Sequence, residues 1–321
     1  MRRRTVPLAV PLLTAGLVLG ACSDTSDTSG AGTGGQAAAG AAVEVAHDTG
    51  TLTLAGPATR IVTTSDETTE LVVALGLQPV GSGSTRVDPL AEDPFASYYI
   101  EAGRLGDPAF VGGSELELEA IAALGPDLVV HGFDDEVDER LAGIAPTAVY
   151  DVTVPGAWEE ALPQLGVATG RQDRAEEVVQ GYRDAVRDAG RQLEPVVAAH
   201  PRVGVVYPQY RGGADNYLFG EEFALAAVVP ELGFELAGSD LAEDAFPGVQ
   251  QISSEVYSSI EADLLLALGT VPWQETTSAP TLSALTIPVL PVPLEDGQPS
   301  AGPLTSPALL DRYLTALRSL G

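Results

Sequence analysis

Apolar residues recur along this chain with two periods, and the switches between them mark out the elements. From Val43 to Ala55 the apolar positions alternate, Val43 and Val45 before the turn-forming Asp48-Thr49-Gly50 and Leu52 and Leu54 after it, which predicts a β-hairpin. Downstream, short β-rich runs alternate with helical stretches. The first set is Arg60-Ile61-Val62, Pro79-Val80, Asp127-Leu128-Val129-Val130 and Thr147-Ala148-Val149-Tyr150; the second is Arg202-Val203-Gly204-Val205-Val206, Asp263-Leu264-Leu265-Leu266 and Ile287-Pro288-Val289-Leu290. Strands alternating with helices predict an α/β fold, and two such sets predict two Rossmann-like lobes. Thr64 with Glu67 three residues on predicts a capping box for a helix closing at Gly76, and Ser114 with Glu117 predicts another closing at Gly125.

Between the two sets runs Gln172 to Leu193, free of proline, with Ala175, Val178, Val179, Tyr182, Ala185, Val186, Ala189 and Leu193 at a helical period. Gly170 marks the start of this helix and Pro195 its end, for a length of roughly 30 Å at ~1.5 Å per residue. The predicted order is therefore an N-terminal lobe over 43–171, a linking helix over 172–195 and a C-terminal lobe over 196–321. One long helix between two lobes is a semi-rigid hinge, with a ligand cleft between the lobes.

The first residues change the picture of where this body resides. Arg2, Arg3 and Arg4 precede a short apolar stretch, Val6 to Leu19, that Pro7 and Pro11 interrupt; a membrane span needs about 20 apolar residues, so this reads as a cleaved export signal. It ends in Leu19-Gly20-Ala21-Cys22, which resembles the lipobox of bacterial lipoproteins, whose cysteine is lipidated and becomes the new N-terminus. Residues 1–22 are then the leader, and the protein is expected to be exported and lipid-anchored through Cys22 to the outer face of the cell membrane. Cys22 is also the only cysteine, which excludes disulfides within the chain and cysteine-based metal sites. Residues 23–42 hold Ser, Thr, Asp, Gly and Ala without a large apolar side chain and read as a flexible tether.

The formal charge of −29 becomes −32 without the leader arginines, and all 16 basic residues are arginine. So negative a body repels polyphosphates, which excludes nucleic acid as a partner, and the absence of lysine excludes Schiff bases, the P-loop lysine and the Ser-x-x-Lys pair.

Several phrases, taken in order, resemble the binding proteins of the siderophore, haem and cobalamin ABC importers, whose two lobes are joined by one long helix. They are Arg60-Ile61-Val62; Glu70-Leu71-Val72-Val73-Ala74-Leu75-Gly76-Leu77-Gln78-Pro79-Val80-Gly81; Leu118-Glu119-Ala120-Ile121 through Pro126-Asp127-Leu128-Val129; Ile144-Ala145-Pro146-Thr147; and Ile252-Ser253-Ser254-Glu255 followed by Ala262-Asp263-Leu264-Leu265-Leu266. No single phrase is specific; their order and spacing are. The resemblance implies a monomeric, non-enzymatic binding protein without a cofactor, carrying a ferric siderophore to the permease of an ABC importer. It also implies permease docking through one glutamate on each lobe, which by the motif are Glu119 and Glu255. Ordinary solvated helix glutamates are equally at home at these positions in so acidic a chain.

In open α/β sheets ligands lie beyond the carboxyl ends of the strands. That rule selects Ser82 to Arg86, His131 and Phe133 in the first lobe, and Tyr207, Tyr210, Arg211 and Trp273 in the second, with Tyr98, Tyr99 and Arg104 in an insertion between strands of the first lobe. Aromatic faces, phenol donors and guanidinium groups together suit a chelated organic ligand with anionic oxygens. Each of these residues alone is also an ordinary packing or ion-pairing residue, and Trp158 reads as packing. Hydroxamate-binding members carry an arginine shortly before the Leu-Glu-x-Ile helix, where this chain has Asp107-Pro108-Ala109-Phe110-Val111-Gly112-Gly113. Arg86, Arg104 and Arg211 offer instead a split basic pocket for a catecholate or citrate chelate, and hydroxamate, catecholate and citrate remain open beside cobalamin and haem.

Two other classes fare worse. Direct capture of Zn or Mn needs clustered histidines, and His47, His131 and His200 lie far apart in sequence. An exported hydrolase would carry Gly-x-Ser-x-Gly and a late histidine, and neither is present; after Gly81-Ser82-Gly83, Arg86 stands where a dinucleotide fingerprint has its third glycine. Metabolic labelling with a palmitate analogue is expected to shift the mass of the native chain and to leave Cys22→Ala unlabelled.

Overall fold

The structure, a computed structural model, describes residues 42–84, 105–113, 115–132, 138–208, 216–238, 247–294 and 302–320. The predicted leader, Cys22 and nearly all of the tether lie outside them. The hairpin forms as predicted, β1 (Val43–His47) against β2 (Gly50–Leu54). Its tip is fastened to the first sheet by the Asp48 N–H donating to the Val149 carbonyl at 2.9 Å, and by the Tyr150 hydroxyl donating to the Ala46 carbonyl at 3.1 Å.

The first sheet holds β3 (Ile61–Thr63), β4 (Gly81–Ser82), β5 (Ala109–Phe110), β6 (Leu128–His131) and β7 (Thr147–Val149) in the order β5-β4-β3-β6-β7, all parallel. Helices α1 (Asp66–Ala74), α2 (Leu118–Leu124) and α3 (Asp138–Ala142) sit between successive strands. Both helix starts differ from the sequence prediction. The cap of α1 is Ser65, boxed with Thr68, and not Thr64 with Glu67. Thr64, just past the end of β3, still gives its N–H to the Val130 carbonyl, and its hydroxyl is taken up by His131 Nδ1 at 2.7 Å. Helix α2 begins after Glu117, which makes no side-chain cap, because the Glu117 N–H bonds the Val111 carbonyl and a bridge between Gly112 and Leu116 holds the preceding bend. Ser114 lies outside the described residues. The end of α2 at Gly125, in the left-handed region at φ 56°, is as predicted.

Helix α4 (Trp158–Thr169) leads into α5 (Gln172–Ala199), which spans 28 residues, about 42 Å at ~1.5 Å per residue. Pro195 does not end α5. It deprives only the Arg191 carbonyl of a partner near the terminus, while Leu193 and Val196 on either side stay buried and hold the last turn in place. The buried stripe of α5, Ala175, Val179, Tyr182, Val186, Ala189, Leu193 and Val196, repeats at three and four residues. Helix α4 approaches α5 so closely that a Cβ on Gly166 would lie 2.9 Å from that of Ala175.

The second sheet comprises β8 (Arg202–Tyr207), β9 (Asn216–Phe219), β10 (Glu235–Leu236), β11 (Val249–Ile252), β12 (Leu264–Gly269) and β13 (Val289–Pro293) in the order β11-β9-β8-β12-β13, with β10 beside the start of β8. Strands β8, β12 and β13 are parallel, whereas β9 runs antiparallel to both β8 and β11. This lobe is therefore a mixed sheet, not a repeat of the first: too few residues separate β8 from β9 for a crossover helix, and the two strands pair antiparallel. Helices α6 (Val228–Glu231), α7 (Ala279–Ser283) and α8 (Thr305–Leu317) complete it. No helix among the described residues is long and apolar enough to cross a membrane.

Strand alternation divides the core. Ile61, Leu128, Val203, Val205, Leu264 and Leu266 face one continuous cluster that also takes in α1, α4, α5 and α8. Their neighbours face separate clusters, Val62 and Val129 with Ile121 and Leu141 in one lobe, and Val206, Leu265 and Ala267 with Tyr257 and Leu282 in the other. Both sheets thus share one apolar interior, with α5 as its spine. Gly166→Val is expected to overpack the contact with Ala175 at a cost of about 1–3 kcal/mol, read as a lower urea midpoint in one cooperative transition for both lobes.

Candidate functional site

At the carboxyl edge of the first sheet the chain leaves β3, β4 and β6 through polar, buried residues. Thr63, Thr69 and Ser82 join their hydroxyls, with Thr63 to Thr69 and Thr69 to Ser82 both at 2.7 Å. The backbones come close enough that a Cβ on Gly132 would stand 2.9 Å from the Ser65 hydroxyl oxygen. Helix α1, buried along all its residues, brings Asp66 and Glu67 to this edge in its first turn, where the helix dipole favours carboxylates. His131 is 5% exposed and braces the end of β6 against Thr64.

The corresponding edge of the second sheet is tied by a network that sequence reasoning missed. Asn216 begins β9 and, because β9 is antiparallel to β8, lies at the carboxyl end of β8. Its side-chain oxygen accepts the Tyr257 hydroxyl at 3.1 Å and the Ser278 hydroxyl at 2.6 Å, and all three residues are buried. Burial pushes the Tyr257 phenol pKa well up, partly offset by a hydrogen bond with Ser278, so the group stays a donor. The only sequence signal was a polar residue at the head of the apolar run Tyr217-Leu218-Phe219.

This network anchors the 3-10 turn Ser254–Ser259, whose second residue is Glu255. The other lobe repeats the arrangement: Glu119 is the second residue of α2, and Ile121, two residues on, is fully buried as Tyr257 is. Both glutamates are exposed at the carboxyl edge of their sheet. The Ser253 hydroxyl, and then the residue's own backbone N–H, hold the Glu255 carboxyl below the usual range, so it is charged at neutral pH.

The remaining predicted residues separate. Tyr207 is 3% exposed and faces the shared core. Trp273 opens a 3-10 turn beyond β12, packs against the cluster around Tyr257, and has its indole N–H buried without an acceptor among the described residues. Trp158 is core, edge-on to Tyr182 at 5.3 Å. Arg86, Tyr98, Tyr99, Arg104, Phe133, Tyr210 and Arg211 lie outside the described residues. A cavity of about 290 Å³ at the lobe seam is lined by Trp158, Glu159, Tyr182, Glu231 and Leu309, and by none of the predicted ligand residues. Burial, and then the charge of Glu159, raise the Glu231 pKa there.

Two α/β lobes on one spanning helix, with polar groups gathered at the carboxyl ends of their central strands, define the class of two-lobed solute-binding proteins. The chain belongs to the periplasmic binding protein family, which it matches over residues 61–282, and this is a family of solute-binding proteins and not of enzymes. It is 26% identical over 236 residues to YfiY of Bacillus subtilis, named as a probable siderophore-binding lipoprotein, covering 73% of this chain and 68% of that one. To the ferric enterobactin-binding periplasmic protein FepB of Escherichia coli it is 27% identical over 201 residues, 60% of this chain and 62% of the relative, just under two thirds. In fold it is similar to Staphylococcus aureus SirA solved with staphyloferrin B (TM-score 0.63, 22% identity, covering 86% of this chain and 98% of SirA). A periplasmic solute-binding protein of Mycobacterium smegmatis is also similar, with TM-score 0.65 and 20% identity over 87% of this chain and 99% of that one.

Asn216→Ala removes the acceptor that two buried hydroxyls share and is expected to cost about 1–3 kcal/mol, whereas Tyr257→Phe, which leaves Ser278 on the amide, is expected to cost under about 1.5 kcal/mol; urea denaturation compares the two.

Proposed function

We propose that this protein is an exported lipoprotein that captures a ferric siderophore between its lobes and delivers it to the permease of an ABC importer. The observation that carries the ligand class is that both curated relatives are named for siderophores, one of them for ferric enterobactin, within a family that binds solutes. The iron chelate is cargo, bound without chemical change. Its place in this reading is above the carboxyl edges of the two sheets, where Thr64, Ser65, His131 and Asn216 lie, with Arg86 and Arg211 as the groups of matching charge.

Delivery rests on Glu119 and Glu255. Each is the second residue of a short helical element, α2 or the 3-10 turn Ser254–Ser259, and the residue two places on is buried, so the backbone bearing each carboxylate is fixed to its own lobe. A pair of charges placed this way reports the relative position of the lobes to a partner carrying two arginines, and each pair is a directional, charge-assisted bond. The lipid on Cys22 would keep the protein near that partner, and the body acts as a monomer.

Quenching of tryptophan fluorescence in the full chain carrying Cys22→Ala is expected to reveal saturable binding of one ferric chelate at about micromolar or tighter, near −8 kcal/mol. Arg86→Ala or Arg211→Ala is expected to abolish it. Binding of cobalamin or haem, with every iron chelate inert, would replace the ligand and leave the fold untouched. In cells, Glu119→Arg with Glu255→Arg is expected to stop uptake while the purified variant binds its ligand as before.

A further inference from the structure

We infer that Glu70 is the positioning residue that sets the angle between the lobes, and through it the width of the ligand cleft. Glu70 sits in the middle of α1, in the first lobe, and is 2% exposed. Its Oε2 accepts the backbone N–H of Leu304 at 3.3 Å, the backbone N–H of Thr305 at 3.2 Å and the Thr305 hydroxyl at 3.0 Å. These donors form the start of α8, in the other lobe, 234 and 235 residues away in sequence. One carboxylate thus caps a helix that belongs to the opposite lobe.

The fit is close. A Cβ on Gly302 would lie 2.1 Å from Oε2, so the glycine is what lets the carboxylate reach the helix end. The Gly302 N–H in turn donates to the Thr305 hydroxyl at 2.9 Å, orienting that hydroxyl toward Glu70. A carboxylate at a helix N-terminus is favoured by the dipole and by charge-assisted bonds, and burial keeps salt from screening it.

The geometry makes this a positioning device as well as a stabilising contact. The lobes are already joined along α5 and through the apolar interior they share, contacts that have no direction and leave the lobes able to rock. A second, directional attachment between α1 and α8 fixes the angle. Glu70 supplies the second attachment, one helical turn below Asp66 on the same face of α1, directly beneath the carboxyl edge. Release of Glu70 is expected to leave both lobes folded on α5 and the cleft free to widen.

The effect on affinity rests on the reading that the ligand binds between the lobes, whereas the effect on lobe spacing does not. The test labels Glu139→Cys and Ser258→Cys, one exposed position on each lobe, in the full chain carrying Cys22→Ala, and reads their separation by pulsed electron paramagnetic resonance. In Glu70→Ala the distance distribution is expected to broaden and move outward, in Glu70→Gln to fall between that and the native one, and in Thr305→Val to broaden less, all with unchanged circular dichroism. If the binding-competent angle falls to about a tenth of the population, the dissociation constant for the ferric chelate rises about tenfold. Should Glu70→Ala not fold, Glu70→Gln and Thr305→Val carry the test. Native distance distributions in every folded variant would overturn the inference; a widened distribution in a protein that binds no ferric chelate would uphold it and overturn the ligand assignment instead.

Discussion

The apolar interior common to both sheets is the constraint on which the rest of this molecule depends. Each central strand sends alternate side chains to it, Ile61 and Val130 from the first lobe and Val205 and Leu266 from the second, and α5 runs through it with Tyr182 and Val186 buried. A helix whose inner stripe is embedded in both lobes cannot bend without opening that interior, and burial of an apolar side chain is worth about 1.5–3 kcal/mol. Large opening motions therefore meet a steep cost, and the motion that remains is rocking across the seam. The three Arg–carboxylate pairs on the outer face of α5, Arg174–Glu177, Arg187–Asp184 and Arg191–Asp188, are solvent-exposed and add little.

With the interior apolar, polar groups collect where the strands end. Backbone ladders stop at the carboxyl edges, and the polar side chains buried there need partners. In the first lobe Thr63, Thr69 and Ser82 pair with one another and Thr64 pairs with His131; in the second Tyr257 and Ser278 pair with Asn216. The two edges solve the same problem with different chemistry, hydroxyl chains in one and an amide accepting two hydroxyls in the other. Each network also holds in place an element at that edge, the buried α1 in one case and the turn bearing the exposed Glu255 in the other.

Charge in this protein is informative by position, not by amount. In a chain of net charge −29 an exposed glutamate is unremarked. Glu119 and Glu255 differ from the others because each is the second residue of a short helical element pinned by a buried side chain two residues on. Glu70 differs because it is buried against the end of a helix from the opposite lobe. The same side chain serves as an outward-facing contact in the first case and an internal strut in the second, and the surroundings make the difference.

Local periodicity sufficed for what is local. The alternation around Asp48-Thr49-Gly50 determined the hairpin, the strand–helix alternation determined the α/β class, and the three- and four-residue spacing from Ala175 to Leu193 determined the long helix, because each pattern records which side of an element meets the core. The tertiary structure decided whatever depends on partners distant in sequence. Ser65 caps α1 because His131 occupies Thr64; α5 passes Pro195 because buried neighbours hold its last turn; β9 runs antiparallel because its connection is short; and Asn216 and Glu70 acquire their roles from Tyr257, Ser278 and Thr305. A one-dimensional pattern carries the period of each element but not which side chains folding will bring within hydrogen-bond reach, and in this protein those pairings govern the strand edges and the seam between the lobes.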